Sequence, residues 1–124
     1  RRKPFVNDID MVLIPEDREA VDQVLMQLGK LKMSGPKIAR VKMESITLDV
    51  YYATPETWAT LLLIRTGSME NNIRLAGLAK KRGWRLKASG DGLFNGRGQR
   101  VAGDSEESIY TALGVPWQKP WERG

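Results

Sequence analysis

In the run Asp-Ile-Asp-Met-Val-Leu-Ile, residues 8–14, two carboxylates stand two positions apart. An extended chain alternates its side chains, so Asp8 and Asp10 emerge on one face, about 6 to 7 Å apart along the strand, while Ile9, Met11 and Leu13 take the other. Two unit charges about 4 Å apart repel by roughly 4 kcal/mol at an effective dielectric of about 20, and a cation between them is the simplest remedy. Asp49 adds a third acid in Ile46-Thr-Leu-Asp-Val-Tyr51, whose other face is Ile46, Leu48 and Val50. If the two strands are neighbours, three carboxylates converge over one sheet face. That layout holds two metal ions about 3.5 to 4 Å apart for in-line phosphoryl transfer. The competing reading is a plain solvated strand face, where carboxylates commonly sit.

The composition narrows the chemistry. The 124 residues include no cysteine and no histidine, which excludes a disulfide framework, a zinc finger, a thiol nucleophile and a histidine-based triad. Acid, base or metal chemistry must run on carboxylates, hydroxyls, Lys or Arg, and a bound metal is expected to be a hard, oxygen-preferring one such as magnesium or manganese. A hydrophobic fraction of 41% suffices for a core, and the longest apolar run is too short to cross a bilayer. Net charge is +5, unevenly placed: residues 1–54 carry nine basic and eight acidic side chains, and residues 55–124 eleven and seven. A basic second half with interleaved Trp and Phe suits a polyanion, although a net charge of this size is also ordinary for a soluble surface. The chain opens on Arg-Arg-Lys without a methionine, as a processed product or a fragment does, and shows no secretory signal pattern.

The elements that must position these residues follow from periodicity and punctuation. Pro15 ends the first strand, and Glu16 to Leu28 has Val21, Val24, Leu25 and Leu28 at helical spacing, with Gly29 as the stop. Residues 38–43 and 46–53 read as strands joined in a hairpin by Glu44-Ser45. Thr54-Pro55-Glu56 reads as a cap, a first-turn proline and an early acid opening a short helix through Trp58, Leu61 and Leu62. A subdomain boundary is expected near residue 55. Gly67-Ser68 interrupts, and residues 69–82 resume as a helix with Lys80, Lys81 and Arg82 at its end and Gly83 as its stop. Trp84–Ala88, Gly92–Phe94 and Gly98–Ala102 are short extended pieces around an Asn95-Gly96 turn. Asp104-Ser-Glu-Glu107 has capping-box spacing before Ile109, Tyr110 and Leu113, with Gly114 and Pro116 after it. Trp58 and Trp84 are expected as core anchors, and Trp117 and Trp121 as pins for the tail.

Taken together, these segments resemble the family X DNA polymerases, the group that includes DNA polymerase beta. Arg1-Arg-Lys-Pro-Phe-Val-Asn-Asp8-Ile-Asp10 resembles the end of the motif in which two arginines lead into the Asp-x-Asp strand. Ile46-Thr-Leu-Asp49-Val-Tyr is similar to the strand carrying the third catalytic aspartate. Thr66-Gly67-Ser68 with Asn72-Ile73 resembles the thumb motif, and Leu78-Ala-Lys-Lys-Arg-Gly83-Trp, Gly92-Leu-Phe94 and Ser105-Glu-Glu-Ser-Ile-Tyr110 to Pro116 continue the likeness to the end. Several matches in register are more specific than any one of them.

The resemblance implies an α+β chain with a small nucleotidyltransferase-type palm sheet and its flanking helix, residues 1–54, and a small α+β thumb, residues 55–124. It implies that Asp8 and Asp10 bind both magnesium ions, for which manganese substitutes, and that Asp49 binds the catalytic ion and helps activate the primer 3′ hydroxyl. Arg1 would hold the incoming triphosphate, Gly67 and Ser68 would form the bend beside the sugar, and Asn72 would contact the nucleotide from the minor-groove side. Arg85 and Lys87 would lie near template phosphates, which position DNA without reading sequence. The implied partners are primer-template or gapped DNA and a deoxynucleoside triphosphate, in an intracellular setting, with transfer of a nucleoside monophosphate to the primer end, in the manner of gap-filling repair. The departures are as specific. The Gly-Ser pair that precedes the first arginine in the family motif, the finger helices and the amino-terminal domain are not in this sequence. Ile64 and Arg65 stand where the family has an aromatic pair, Ala76 where arginine is frequent, Arg2 where a small residue is usual, and Asn7 where glycine is common. Two other readings share these residues: a non-catalytic DNA-binding fragment and a templateless or RNA-directed nucleotidyltransferase. Gly67 and Gly83 as helix stops, Ser68 as a cap and Lys80 to Arg82 as a solvated helix end are the purely structural alternatives.

Overall fold

The computed structural model describes residues 8–123; Arg1, Arg2 and Asn7 lie outside the described residues. The chain divides into two compact units that meet in sequence between Thr54 and Pro55, and each is built around its own core.

In the first unit, β1 (Asp8–Leu13), α1 (Arg18–Leu28), β2 (Lys30–Ser34), β3 (Ile38–Met43) and β4 (Ile46–Tyr52) follow in chain order. The four strands form one sheet in the order β1-β4-β3-β2, with β1 parallel to β4 and the other pairs antiparallel. Period-two alternation decides which face is covered. Leu25 of α1 is buried with Ala39, Val41, Leu48 and Val50, and Leu13, Val21, Leu31, Met43 and Tyr52 pack around them. Beside that core an apolar cavity of about 350 Å³ is lined by Met11, Leu13, Val24, Leu28 and Val50 among others. Asp8, Asp10, Thr47, Asp49, Arg40 and Lys42 belong to the alternate set and share the sheet's other face.

Three details differ from the expectation. Helix α1 starts at Arg18, two residues later than Glu16, because the Asp17 carboxylate accepts from the amides of Glu19 (3.0 Å) and Ala20 (3.3 Å) and so caps the helix there. Gly29 has an extended φ of 177° and is not a left-handed stop. Its role is close approach: a Cβ there would lie 2.3 Å from the Lys42 carbonyl oxygen. That approach leads directly into β2, a strand beyond those expected, whose Lys-Leu-Lys-Met alternation carries the period-two signal. The β3–β4 hairpin turns on Glu44-Ser45 as expected, with Glu44 at φ 34°.

The second unit contains α2 (Trp58–Thr66), α3 (Met69–Lys81), β5 (Arg85–Lys87), β6 (Gly92–Phe94), β7 (Arg100–Ala102), α4 (Glu106–Leu113) and a 3-10 turn at Pro120–Glu122. Strands β5, β6 and β7 form a small antiparallel sheet in sequence order. Leu63, Leu75, Ala79, Leu93, Ile109, Tyr110 and Leu113 make the core, with Trp84 and Leu86 packed against it. Burying each such leucine contributes about 1.5 to 3 kcal/mol.

Here too the ends move. The α-helical ladder of α2 begins at the Thr57 carbonyl, which accepts from Leu61 N at 3.0 Å, and not at Thr54. The Glu56 carbonyl is engaged instead by Arg100 Nη2 at 2.9 Å, so residues 55–57 form a turn before the helix. The cap of α4 is Ser105, and its reciprocal partner is Ser108 where an acid was expected: Ser108 N donates to Ser105 Oγ (3.1 Å) while Ser105 N donates to Ser108 Oγ (3.3 Å). Trp58 is 37% exposed at the start of α2 and is no core anchor. Trp84 is partly buried against the core, Trp117 donates to Glu106 Oε1 (3.0 Å), and Trp121 is exposed.

Candidate active site

The carboxylates come together through strand pairing. In β1 and β4, Asp8 pairs with Thr47 and Asp10 with Asp49. In β4 and β3, Asp49 pairs with Arg40 and Thr47 with Lys42. Residues opposite one another on adjacent strands project to the same side. The face therefore carries Asp8 and Asp10 on β1, Asp49 at the centre on β4, and Arg40 and Lys42 on β3. Asp10, Asp49 and Arg40 form one row across three strands, with neighbouring strands about 4.8 Å apart.

Asp49 is nearly buried, at 9% exposure. Arg40 Nε donates to its Oδ1 at 2.7 Å and Nη2 to its Oδ2 at 3.1 Å, a two-pronged charge-assisted contact. The hydrogen bond and the charge of Asp49, with Asp8 contributing further off, hold the Arg40 guanidinium protonated beyond its ordinary range. The donor set has the chemistry of a magnesium site, since all three side chains are hard oxygen ligands. Among the described residues, however, no group of three acidic side chains is gathered closely enough to hold a metal ion as the side chains now stand. Arg40 is the residue that the reading of motifs missed. Its signal was present: a two-residue turn at Glu44-Ser45 sets the hairpin register and places residue 40 opposite residue 49.

In the second unit, Gly67, Ser68 and Asn72 lie together where α2 passes into α3. Gly67 ends α2 with φ 76°, a left-handed conformation that favours glycine, and its peptide to Ser68 is cis. Ser68 is buried, caps α3 by accepting from Asn71 N at 3.1 Å, and donates its hydroxyl to the Arg123 carbonyl. Ser68→Ala is expected to cost about 1 to 2 kcal/mol through the lost cap, measured by urea denaturation. Asn72 Nδ2 donates to the Ile64 carbonyl at 2.9 Å, and its buried Oδ1 has no hydrogen-bond partner. The side chain is thus tied to the end of α2, with one acceptor in need of a donor.

Arg85 and Lys87 sit two apart on β5. Arg85 is exposed, and Lys87 Nζ lies 4.2 Å from the centroid of the Phe94 ring. Lys80 and Lys81 at the end of α3 are exposed as well. Arg82 is partly structural: it donates to the Leu113 carbonyl at 3.1 Å and lies over Trp84. Arg85 thus continues the exposed cationic run of α3 into β5, while Lys87 is half-buried beside Phe94.

A mixed sheet bearing three aspartates on the face away from its helix, joined to a separate α+β unit, has the architecture of the palm-and-thumb class of nucleotidyltransferase fold. Residues 61–124 match the DNA polymerase beta thumb family, and the chain belongs to that family, within the family X DNA polymerases. A curated relative, the DNA polymerase/3'-5' exonuclease PolX of Bacillus subtilis (strain 168), is 27% identical over 126 residues, covering 97% of this chain and 22% of that protein. Among solved structures, the ternary P/T complex of Leishmania infantum polymerase beta matches with a TM-score of 0.72 at 22% identity, over 98% of this chain and 63% of that one. The chain therefore spans about a fifth of the curated relative and under two thirds of the solved one. Among the described residues no helix is long and apolar enough to cross a membrane.

Proposed function

We propose that this chain is the palm and thumb of a DNA-directed DNA polymerase acting on primer-template or gapped DNA inside the cell, in the manner of repair synthesis. The reaction is transfer of a nucleoside monophosphate from a deoxynucleoside triphosphate to a primer 3′ hydroxyl, with release of pyrophosphate. The observation that carries this reading is the placement of Asp8, Asp10 and Asp49 on one sheet face, with Asp10 directly opposite Asp49. Magnesium or manganese bound there would supply Lewis-acid stabilisation of the attacking and leaving oxygens. Asp8 and Asp10 would hold the metal pair, and Asp49, at the centre of the row, would orient the primer hydroxyl and accept its proton on a carboxylate oxygen. Gly67, Ser68 and Asn72 would border the sugar and base of the nucleotide, Asn72 through its unpaired acceptor or by releasing Ile64. Arg1, outside the described residues, is assigned to the triphosphate on the resemblance alone.

The test is metal-dependent extension of a one-nucleotide-gapped DNA by the wild type beside Asp8→Ala and Asp10→Ala. Templated addition by the wild type alone supports the proposal, and loss of addition when the template strand is omitted separates it from a templateless enzyme. A second reading, a DNA-binding fragment without catalysis, is favoured by the engagement of both Asp49 oxygens with Arg40; binding without extension in all three proteins would support it.

The DNA side has its own readout. Replacing Arg85 and Lys87 together by alanine is expected to weaken gapped-DNA binding equally across sequences and to reduce the salt slope by about two, roughly one for each phosphate contact removed. Fluorescence anisotropy at several salt concentrations measures both. An unchanged slope would remove these residues from the interface.

A further inference from the structure

Asp49 lies between two possible partners. Asp10 is its neighbour on β1 and Arg40 its neighbour on β3, all in one row of the sheet. A carboxylate has two oxygens, and Arg40 engages both, at 2.7 and 3.1 Å. Each oxygen keeps a second lone pair, but a guanidinium charge at hydrogen-bond distance repels a cation placed on the same carboxylate, so the two-pronged pair and a cation shared with Asp10 oppose one another.

We propose that Arg40 is a gate on metal binding: it holds Asp49 in a resting arrangement and has to swing away before Asp49 joins Asp8 and Asp10 as a donor. This rests on the proposed palm reading of the three aspartates. The unequal burial of the two partners says which one moves. The Asp49 side chain is 13% exposed and is fixed at the centre of the sheet, whereas the Arg40 side chain is 43% exposed on a long flexible stem. Arg40 can exchange its carboxylate for water without opening the core; Asp49 has no comparable freedom. While the gate is closed, its positive charge neutralises Asp49 and lessens repulsion from Asp10 and Asp8, the task a bound cation performs when it is open. The planar fork matters as well, because a lysine ammonium engages a carboxylate as a point charge and would leave one oxygen accessible.

Linkage makes the competition measurable: whatever the pair costs metal binding, metal binding costs the pair by the same factor. Manganese alone, followed by electron paramagnetic resonance on the full chain, is the probe. Arg40→Met is expected to tighten Mn2+ by about tenfold, within the usual range of such couplings, and Arg40→Lys by less. In the wild type, the Arg40 Nε–H resonance is expected to shift on titration with Mg2+, at concentrations that track occupancy. A merely structural role would leave Mn2+ affinity unchanged or lower it.

If Asp49→Asn weakens Mn2+ binding while Arg40→Met does not tighten it, and the Nε–H resonance stays in place at saturating Mg2+, the gate is refuted and the palm reading survives. Absence of Mn2+ binding to both wild type and Arg40→Met overturns the gate together with the metal site. Should Arg40→Met not fold, the wild-type resonance decides alone: movement with occupancy supports the gate, and immobility refutes it.

Discussion

Asp49→Ala is expected to lower metal-dependent nucleotide addition by about a thousandfold, within the range lost when a group that accepts a proton in the reaction is removed, while affinity for gapped DNA stays nearly unchanged. The separation follows from position. Asp49 stands at the centre of the β1-β4-β3 row, opposite Asp10, where its loss takes away the third carboxylate of the set. Arg85 and Lys87, which the proposed function assigns to DNA phosphates, belong to the other compact unit and are left intact by the substitution. Its removal also leaves the fold in place, because the abandoned partner, Arg40, is already substantially exposed and reaches water. Single-turnover extension beside anisotropy on the same gapped DNA checks the prediction. Equal losses in both assays would mean that Asp49 supports DNA binding or folding and has no specific place in the chemistry.

The second large effect concerns stability. Glu106→Ala is expected to destabilise the chain by about 3 to 5 kcal/mol, the usual consequence of leaving one member of a buried ion pair alone. The Arg123 side chain is fully buried, its Nη2 donates to Glu106 Oε1 at 2.8 Å, and its Nη1 has no hydrogen-bond partner. The same Glu106 oxygen accepts from Trp117 Nε1 at 3.0 Å, so one substitution removes two bonds from the tail. Arg123→Met is expected to cost less, because it removes the charge that needs a partner and keeps an apolar stem near Tyr110 and Trp117. Urea denaturation of the two variants gives the comparison. If Arg123→Met were the more damaging, the pair would contribute net stability and the desolvation argument would fail here.

The Arg123 network also connects the tail to the start of α3, since the Arg123 carbonyl accepts from Ser68, the α3 cap. A residue near the end of the sequence thus helps fix the turn at Gly67-Ser68. Nothing in the spacing of Trp117, Trp121 and the prolines names this partner; the chain has to fold before the two segments, 55 positions apart, meet.

Local chemistry was legible wherever neighbours in sequence are neighbours in space. Alternation over residues 8–13 and 46–52 separates an acidic face from an apolar one, helical spacing over 69–81 separates a core face from a basic one, and the α+β class follows from that order of elements. Helix starts were less legible. Asp17, Thr57 and Ser105 each lie one to three residues from the position that composition favours, because competing local hydrogen bonds differ by about a kcal/mol, and a distant group such as Arg100 tips the choice at Glu56.

The sequence by itself determined which residue types are available to the chemistry. Without histidine or cysteine they are carboxylates and cations, and period two in the strands assigns the three aspartates to polar faces. Only the tertiary structure decided that β1 lies parallel beside β4, so that Asp10 comes opposite Asp49, and that Arg40 holds both oxygens of that carboxylate. The reason is physical. A strand's alternation is a property of its own backbone, whereas its choice of neighbour depends on which apolar faces can be buried together, and α1 packing over Leu48, Val50, Ala39 and Val41 settles that for the whole sheet at once.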